Sequence, residues 1–190
     1  RPNLVDMMTF DRVEFEKNIS LSVKKKVKIE SKWEIIRVSD ICEIGRGRVI
    51  NKKEIEENFG EYPVYSSQTS NDGIFGFLNS YDFEGEYVTW TTDGIYAGSV
   101  FYRNGKFNCT NVCGTLKSKS EKINMQFLSL FLPLYTPDYV VKVANPKLMN
   151  NVMAGIKIPL PPLDIQQKIV SEIEVLEAKE KKAKEKVNYF

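Results

Sequence analysis

"IPLPPLDIQQKIV", residues 158–170, sets three prolines within five positions directly before a strongly helical run. Pro159, Pro161 and Pro162 forbid helix there and bias each preceding residue toward extended geometry. The helix is expected to begin near Leu163 or Asp164, with Asp164 as N-cap and as an acidic group at the positive helix end. It should run toward Val187, about 24 residues or roughly 36 Å. Ile169, Ile173, Leu176, Ala183 and Val187 recur at alternating four- and three-residue steps, with Glu180 the one polar intrusion. With Leu163 and Ile165 ahead of them they form the expected partner face. A stripe this narrow suits a coiled-coil seam better than the buried face of a globular helix. Beyond about Ala178 the helix asks for a second helix, from elsewhere in a longer chain or from another protein. The prolines then fix the angle at which the rod leaves the body; an ordinary stiff loop before a terminal helix is the plain alternative.

Upstream of the prolines, strand and turn signals dominate. "YPVYSSQTSNDGIFGFLN" (62–79) contains an Asn-Asp-Gly turn between apolar stretches, and "GEYVTWTTDG" (85–94) is an aromatic and β-branched strand closed by Asp-Gly. "Arg-Asn-Gly-Lys" (103–106) predicts a two-residue hairpin turn at Asn104 and Gly105. Residues 124–134 fit a largely buried helix ending at Pro133, and residues 148–153 a short helix start that returns to extended chain at 156–158. "WEIIRVSDIC" (33–42) reads as a short strand followed by a turn or brief helix. The expected fold is therefore α/β (α+β): a mostly antiparallel, β-rich body with small helices over 33–162, then a long spacer helix over 163–190. Residues 1–32, with Lys24, Lys25, Lys26 and Lys28, are expected to be a lead-in or linker from an upstream domain, and the start at Arg1 fits an excised piece of a longer chain.

Composition narrows the chemistry. The 190 residues carry 27 basic and 25 acidic side chains, so a nucleic-acid role must rest on where the basic residues sit. Histidine is absent, which removes the usual general base and the usual partner of a serine or cysteine nucleophile. Three cysteines, 42, 109 and 113, fit a reducing, cytoplasmic setting, and Cys-x-x-x-Cys without histidine is a poor metal site. No apolar run approaches the ~20 residues of a membrane helix. Asp82, Glu84, Glu86 and Asp93 are carboxylates by type only, and "GRGRVINKK" (45–53) lacks the spacing of a phosphate loop. Catalytic residues, bound cofactor and metal are accordingly expected to be none.

What remains is polar, basic and aromatic residues at turns. Arg46, Arg48, Lys52 and Lys53 follow the first core element; Ser67, Gln68, Thr69 and Asn71 fill one loop; Thr91, Thr92 and Tyr96 fill the next; Arg103 and Lys106 flank the Asn-Gly turn. Arg and Lys suit phosphates or guanine, and Gln or Asn suits adenine in the major groove, so these thirteen are the candidate contacts to duplex DNA.

The order "GEYPVYSSQTSNDGIFGF", "YVTWTTDGIYAGSVFYRNGKFNCTNVCGTL" and "NVMAGIKIPLPPLDIQQKIVSEIEVLE" resembles the target recognition domain of specificity subunits from type I restriction-modification systems, and the similar modules of fused type II enzymes. The proline stretch followed by Asp164 to Val170 is its most specific part; Gly60, Pro63, Gly73, Gly94, Gly98 and Gly105 match turn positions. The resemblance covers about residues 33–180. It implies a non-catalytic body that reads one part of a split double-stranded DNA site. It also implies a helix that packs on a partner helix and docks a methyltransferase subunit, with a restriction subunit engaged indirectly. S-adenosylmethionine is then expected in the methyltransferase partner or fused domain, serving N6-adenine methylation, and not in this chain. A complete specificity subunit has two recognition domains and two spacers, so half of a full subunit, a self-associating half subunit and the end of a fused enzyme all fit. A structural assembly piece that no longer reads DNA is the alternative function.

Overall fold

The computed structural model describes residues 31–187, with side chains through Glu185. The expected lead-in, residues 1–32, lies almost wholly outside the described residues. The chain divides into Arg1–Lys32 and Trp33–Phe190, and every described strand and helix belongs to the second unit.

Among the described residues, ten short strands build three sheets. β1 (Ile35–Arg37) pairs antiparallel with β10 (Lys157–Pro159), joining the start of the body to the segment before the long helix. β2 (Cys42–Arg46), β9 (Cys113–Ser118), β6 (Tyr87–Thr91) and β7 (Val100–Arg103) form an all-antiparallel sheet in the order β2-β9-β6-β7. β4 (Ile74–Leu78), β3 (Tyr62–Tyr65), β8 (Lys106–Cys109) and β5 (Phe83–Glu84) form the third sheet, in which β3 and β8 run parallel. Small helices intervene: α1 (Val38–Ile41), α2 (Lys52–Glu57), α3 (Met125–Phe131), α4 (Thr136–Tyr139) and α5 (Asn150–Gly155).

Strand β6 is central because its sequence, Tyr-Val-Thr-Trp-Thr, leaves no residue for solvent: all five are buried. Trp90 is fully enclosed and donates its indole N–H to the Leu148 carbonyl at 2.9 Å, which satisfies the one polar atom of a large apolar side chain. Around it lie Val38, Val88, Leu116, Phe127, Leu128, Leu132, Met153 and Ile158, uniting the first sheet pair with the helices. Gly114 lies against the Trp90 ring, where any Cβ would collide with it. A second core, of Tyr87, Phe107, Cys109 and Cys113 with Tyr65 and Phe83, fills the space between the two larger sheets. A third, of Ile50, Val64 and Leu78, lies beneath Ile55 of α2.

Three expectations are corrected. The Arg-Asn-Gly-Lys turn is no hairpin: β7 pairs with β6 and β8 with β3 and β5, so residues 103–106 form a corner between sheets. There Gly105 (φ 103°) and Gly85 (φ 102°) exchange backbone hydrogen bonds at 3.0 and 3.2 Å. Lys52 and Lys53 stand on the helix α2, capped by Asn51, whose side chain accepts the Glu54 N–H at 2.9 Å. Asp164 is in the first turn of the long helix and not its N-cap; the Pro162 carbonyl accepts the first helical N–H groups, from Ile165 and Gln166, at 3.0 Å each.

That helix, α6 (Leu163–Val187), has 25 residues, about 37 Å by its rise. Its first two turns belong to the body. Gln166 is fully buried, accepting the Asn124 N–H at 2.8 Å and donating to the Lys122 carbonyl at 2.8 Å and the Pro161 carbonyl at 2.7 Å. Val170 is buried in the main core and Ile169 packs against it. After Val170 only Ile173 keeps partial cover, and every described residue from Glu174 to Glu185 is exposed.

Candidate functional site

The C-terminal ends of β2, β3, β6 and β8 lead into loops that meet on the short turn Thr110–Val112. The Thr110 hydroxyl donates to the Ser66 hydroxyl oxygen at 2.9 Å, and its N–H donates to the Tyr65 carbonyl at 2.8 Å. The Asn111 carbonyl accepts Arg46 Nε–H at 2.5 Å, and the Val112 carbonyl accepts the Thr92 N–H at 3.0 Å. Loops from both sheets are thus fixed to one another by main-chain bonds, an arrangement that holds surface side chains in set relative positions.

Arg46 and Lys147 converge on Asp93. Arg46 Nη2 lies 3.0 Å from Asp93 Oδ2 and 3.0 Å from Thr92 Oγ1, Lys147 Nζ is 3.3 Å from Asp93 Oδ1, and Thr92 donates to Asp93 at 2.6 Å. Burial works to raise the Asp93 pKa, but the hydrogen bonds from Thr92 and Lys147 and the two cations outweigh it and hold it below the usual carboxylate value. Two cations share one carboxylate, leaving the cluster net positive. Gly94 N–H donates to the Pro146 carbonyl at 3.0 Å, so the 93–98 turn and the 140–147 segment stand side by side. They expose Ile95 (81%), Tyr96, Val141 and Val143.

On the loop between β3 and β4, Ser66 N–H donates to the Gly73 carbonyl at 3.1 Å and Gln68 Nε2 donates to the Ile74 carbonyl, closing the loop at its base. Ser67, Gln68 and Thr69 are half-buried and Asn71 is exposed. Arg48 is held by Glu54 at 2.6 Å and Asp82 at 2.9 Å. Lys52 and Lys53 are exposed on α2, and Lys53 lies 3.7 Å from Glu57.

Several sequence candidates therefore occupy other roles. Thr91 and Thr92 are 1% and 0% exposed and Arg103 is 4% exposed, so none of the three reaches a ligand on the surface. Their side chains are consumed by the strand core, by Asp93 and by Asp72 respectively. Lys106 is at the opposite end of β8, 4.6 Å over the Tyr81 ring and 3.8 Å from Glu84, apart from the loops gathered on Thr110–Val112. Gln68 is turned inward by its bond to Ile74. Arg46, Arg48, Ser67, Thr69, Asn71, Lys52, Lys53 and Tyr96 keep some exposure. Sequence reasoning passed over Lys147 and Ile95; only the bridge between Asp93 and Lys147, 54 positions apart in the chain, discloses the first.

The carboxylates have structural partners: Asp82 pairs with Arg48, Glu84 with Lys106, Glu86 accepts from Tyr102, and Asp93 pairs with Arg46 and Lys147. Cys109 and Cys113 are buried with sulfurs 3.5 Å apart, and burial raises the Cys109 thiol well above its ordinary value; Cys42 is pushed up to about 12 by the same cause. Thiols so protonated are poor nucleophiles.

The expected partner face of α6 divides in two. Ile165 and Ile169 are half-buried, with Ile169 packed on the body's own core, and Leu163 lines a groove of about 550 Å³ with Glu86, Lys119 and Met125. Ile173, Leu176 (62% exposed) and Ala183 form the outer half, and exposed Val175 lies off that line. The Val187 side chain lies outside the described residues. Among the described residues, no helix is long and apolar enough to cross a membrane.

The chain is 54% identical over 138 residues to the type I restriction enzyme MpnII specificity subunit of Mycoplasma pneumoniae, covering 72% of this chain and 42% of that one. Across the curated relatives it matches first, it spans about half their length or less. A crystal structure of the type I restriction-modification S subunit from M. genitalium shares the fold, with a TM-score of 0.66 at 14% identity over 82% of this chain and 41% of that one. The HsdS subunit from Thermoanaerobacter tengcongensis does so with a TM-score of 0.60 at 17% identity, over 88% and 45%. The family model described as "Type I restriction modification DNA specificity domain" matches residues 30–189, and the chain belongs to that family.

Proposed function

We propose that residues 33–162 form a non-catalytic body that reads one short double-stranded DNA motif, and that the segment from residue 163, helical over Leu163–Val187, is a spacer which pairs with a second helix. In this reading the chain directs a methyltransferase subunit or fused domain, and indirectly a restriction subunit, to one part of a split site. S-adenosylmethionine is held by the methyltransferase part, and the complex works in the cytoplasm. The observation that carries the proposal is the family match across residues 30–189. Two features support it: loops from both sheets fastened together on Thr110–Val112, and a helix whose outer half finds no cover in its own body.

Selection of bound duplexes from a random-sequence pool at several salt concentrations tests it. Enrichment of one short motif that persists as salt is raised is expected, because phosphate contacts weaken with salt while base contacts keep their discrimination. Binding that falls with salt equally for every sequence would contradict it. Deleting residues 171–190 should preserve the motif; loss of all binding with the body still folded would favour an assembly piece instead.

A further inference from the structure

Arg103 is 4% exposed, whereas the carboxylate it pairs with, Asp72, is 67% exposed. The cation is inside and the anion outside. Its guanidinium lies 3.7 Å over the Tyr65 ring and 4.7 Å from that of Phe101, sandwiched in the space between the two larger sheets. From there Nη1 donates to Asp72 Oδ2 and Nη2 to the Asp72 carbonyl, both at 2.7 Å. One buried side chain thus holds the side chain and the main chain of the same loop residue.

That residue stands in a rarely adopted conformation. Asn71 (φ 50°, ψ 44°) and Asp72 (φ 52°, ψ 26°) are left-handed, and Gly73 (φ 78°) follows them. Glycine would occupy the first two positions with less strain. Asp72 is explained by Arg103. Asn71 is not: its side chain is exposed and makes no hydrogen bond to the described residues. An exposed carboxamide on a left-handed turn offers the donor and acceptor that pair with an adenine edge.

We propose that Arg103 is a positioning residue for base reading: from beneath the loop it sets the left-handed turn at Asn71–Gly73, and with it the direction in which Asn71 is presented. It does so without touching DNA. The inference rests on the recognition function proposed above and adds the means by which one loop of that site is aimed. Strained backbone persists where the surrounding structure over-determines it, and the bidentate hold on Asp72 is that over-determination here.

The test is selection from a random duplex pool by the whole chain, compared among wild type, Asn71→Ala, Arg103→Lys and Asp72→Asn, with thermal unfolding run on each. Lysine keeps the charge but cannot make the two-pronged contact; asparagine keeps a left-handed-tolerant residue and loses the charge pair. Asn71→Ala is expected to flatten the preference at one or two base pairs by about tenfold. Arg103→Lys and Asp72→Asn should flatten the same base pairs, with overall retention of the pool changed less than about threefold. If folded Arg103→Lys and Asp72→Asn keep the wild-type motif, or lose discrimination at base pairs that Asn71→Ala leaves intact, Arg103 is a structural residue only and the proposal is overturned. Should Arg103→Lys unfold, Asp72→Asn decides, since it leaves Tyr65, Phe101 and the buried cation in place. A wild type that enriches no motif refutes the recognition function itself, and this inference with it.

Discussion

Replacing Gln166 with alanine is expected to destabilise the unit by about 3–5 kcal/mol, which lowers its melting temperature by roughly 8–15 °C. The side chain is fully buried and makes three hydrogen bonds, to the Asn124 N–H and to the Lys122 and Pro161 carbonyls. Alanine leaves one donor and two acceptors unpaired beside the void of the missing side chain. These bonds fasten the first turn of α6 to the loop before α3, so the loss falls on the joint between body and rod. Denaturation by urea followed by circular dichroism measures it. A loss below about 1 kcal/mol would mean that the helix is held by the apolar contacts of Val170 and Ile169 and by the Asn124–Gln167 hydrogen bond. Glutamate at 166 should not rescue, because a carboxylate lacks the two donors that the carbonyls require.

The second large effect is on association. Ile173→Lys with Leu176→Lys is expected to remove roughly 3–6 kcal/mol of apolar burial at a helix–helix seam, a weakening of about 10²–10⁴-fold. Both residues lie beyond the last buried position of α6, Val170, so the β-rich body should keep its melting temperature. Analytical ultracentrifugation, alone and with a methyltransferase subunit, reads the change. Unchanged association would place the partner on another face, with exposed Val175 the first residue to test.

Most of the architecture was legible because it depends on local signals. Proline fixes its own φ, so the extended lead into α6 could be read at 158–162; the apolar run from Met125 announced α3, and the aromatic and β-branched composition of 87–91 announced a buried strand. The failures share a cause, which is that a residue's partner is chosen by the whole fold. Asn104-Gly105 has the chemistry of a hairpin turn, but Phe107 and Asn108 are drawn into the third sheet while Tyr102 and Arg103 stay beside β6, and a tight turn serves a corner as well as a hairpin. Arg103 reads as a surface cation because its type says nothing of Asp72 or Tyr65, 31 and 38 positions away. Thr92 reads as a loop polar residue and is buried against Arg46 and Asp93. Helix α2 had a usable signal, Asn51 three residues before Glu54, which is the spacing of an N-cap.

The apolar line along α6 divides for a related reason. A four-three spacing marks such a line but not what covers it, and the body takes Ile169 for itself while Ile173 and Leu176 stay outside its core.

The most direct test of the recognition function is long-read detection of methylated bases in DNA from cells carrying the intact gene, with and without residues 33–187 of this chain. The expected result is methylation at a defined split motif, one part of which disappears or relaxes when the segment is removed while the other part remains. An unchanged methylation pattern would contradict the account, since no body that reads part of the site can be deleted without altering what is marked.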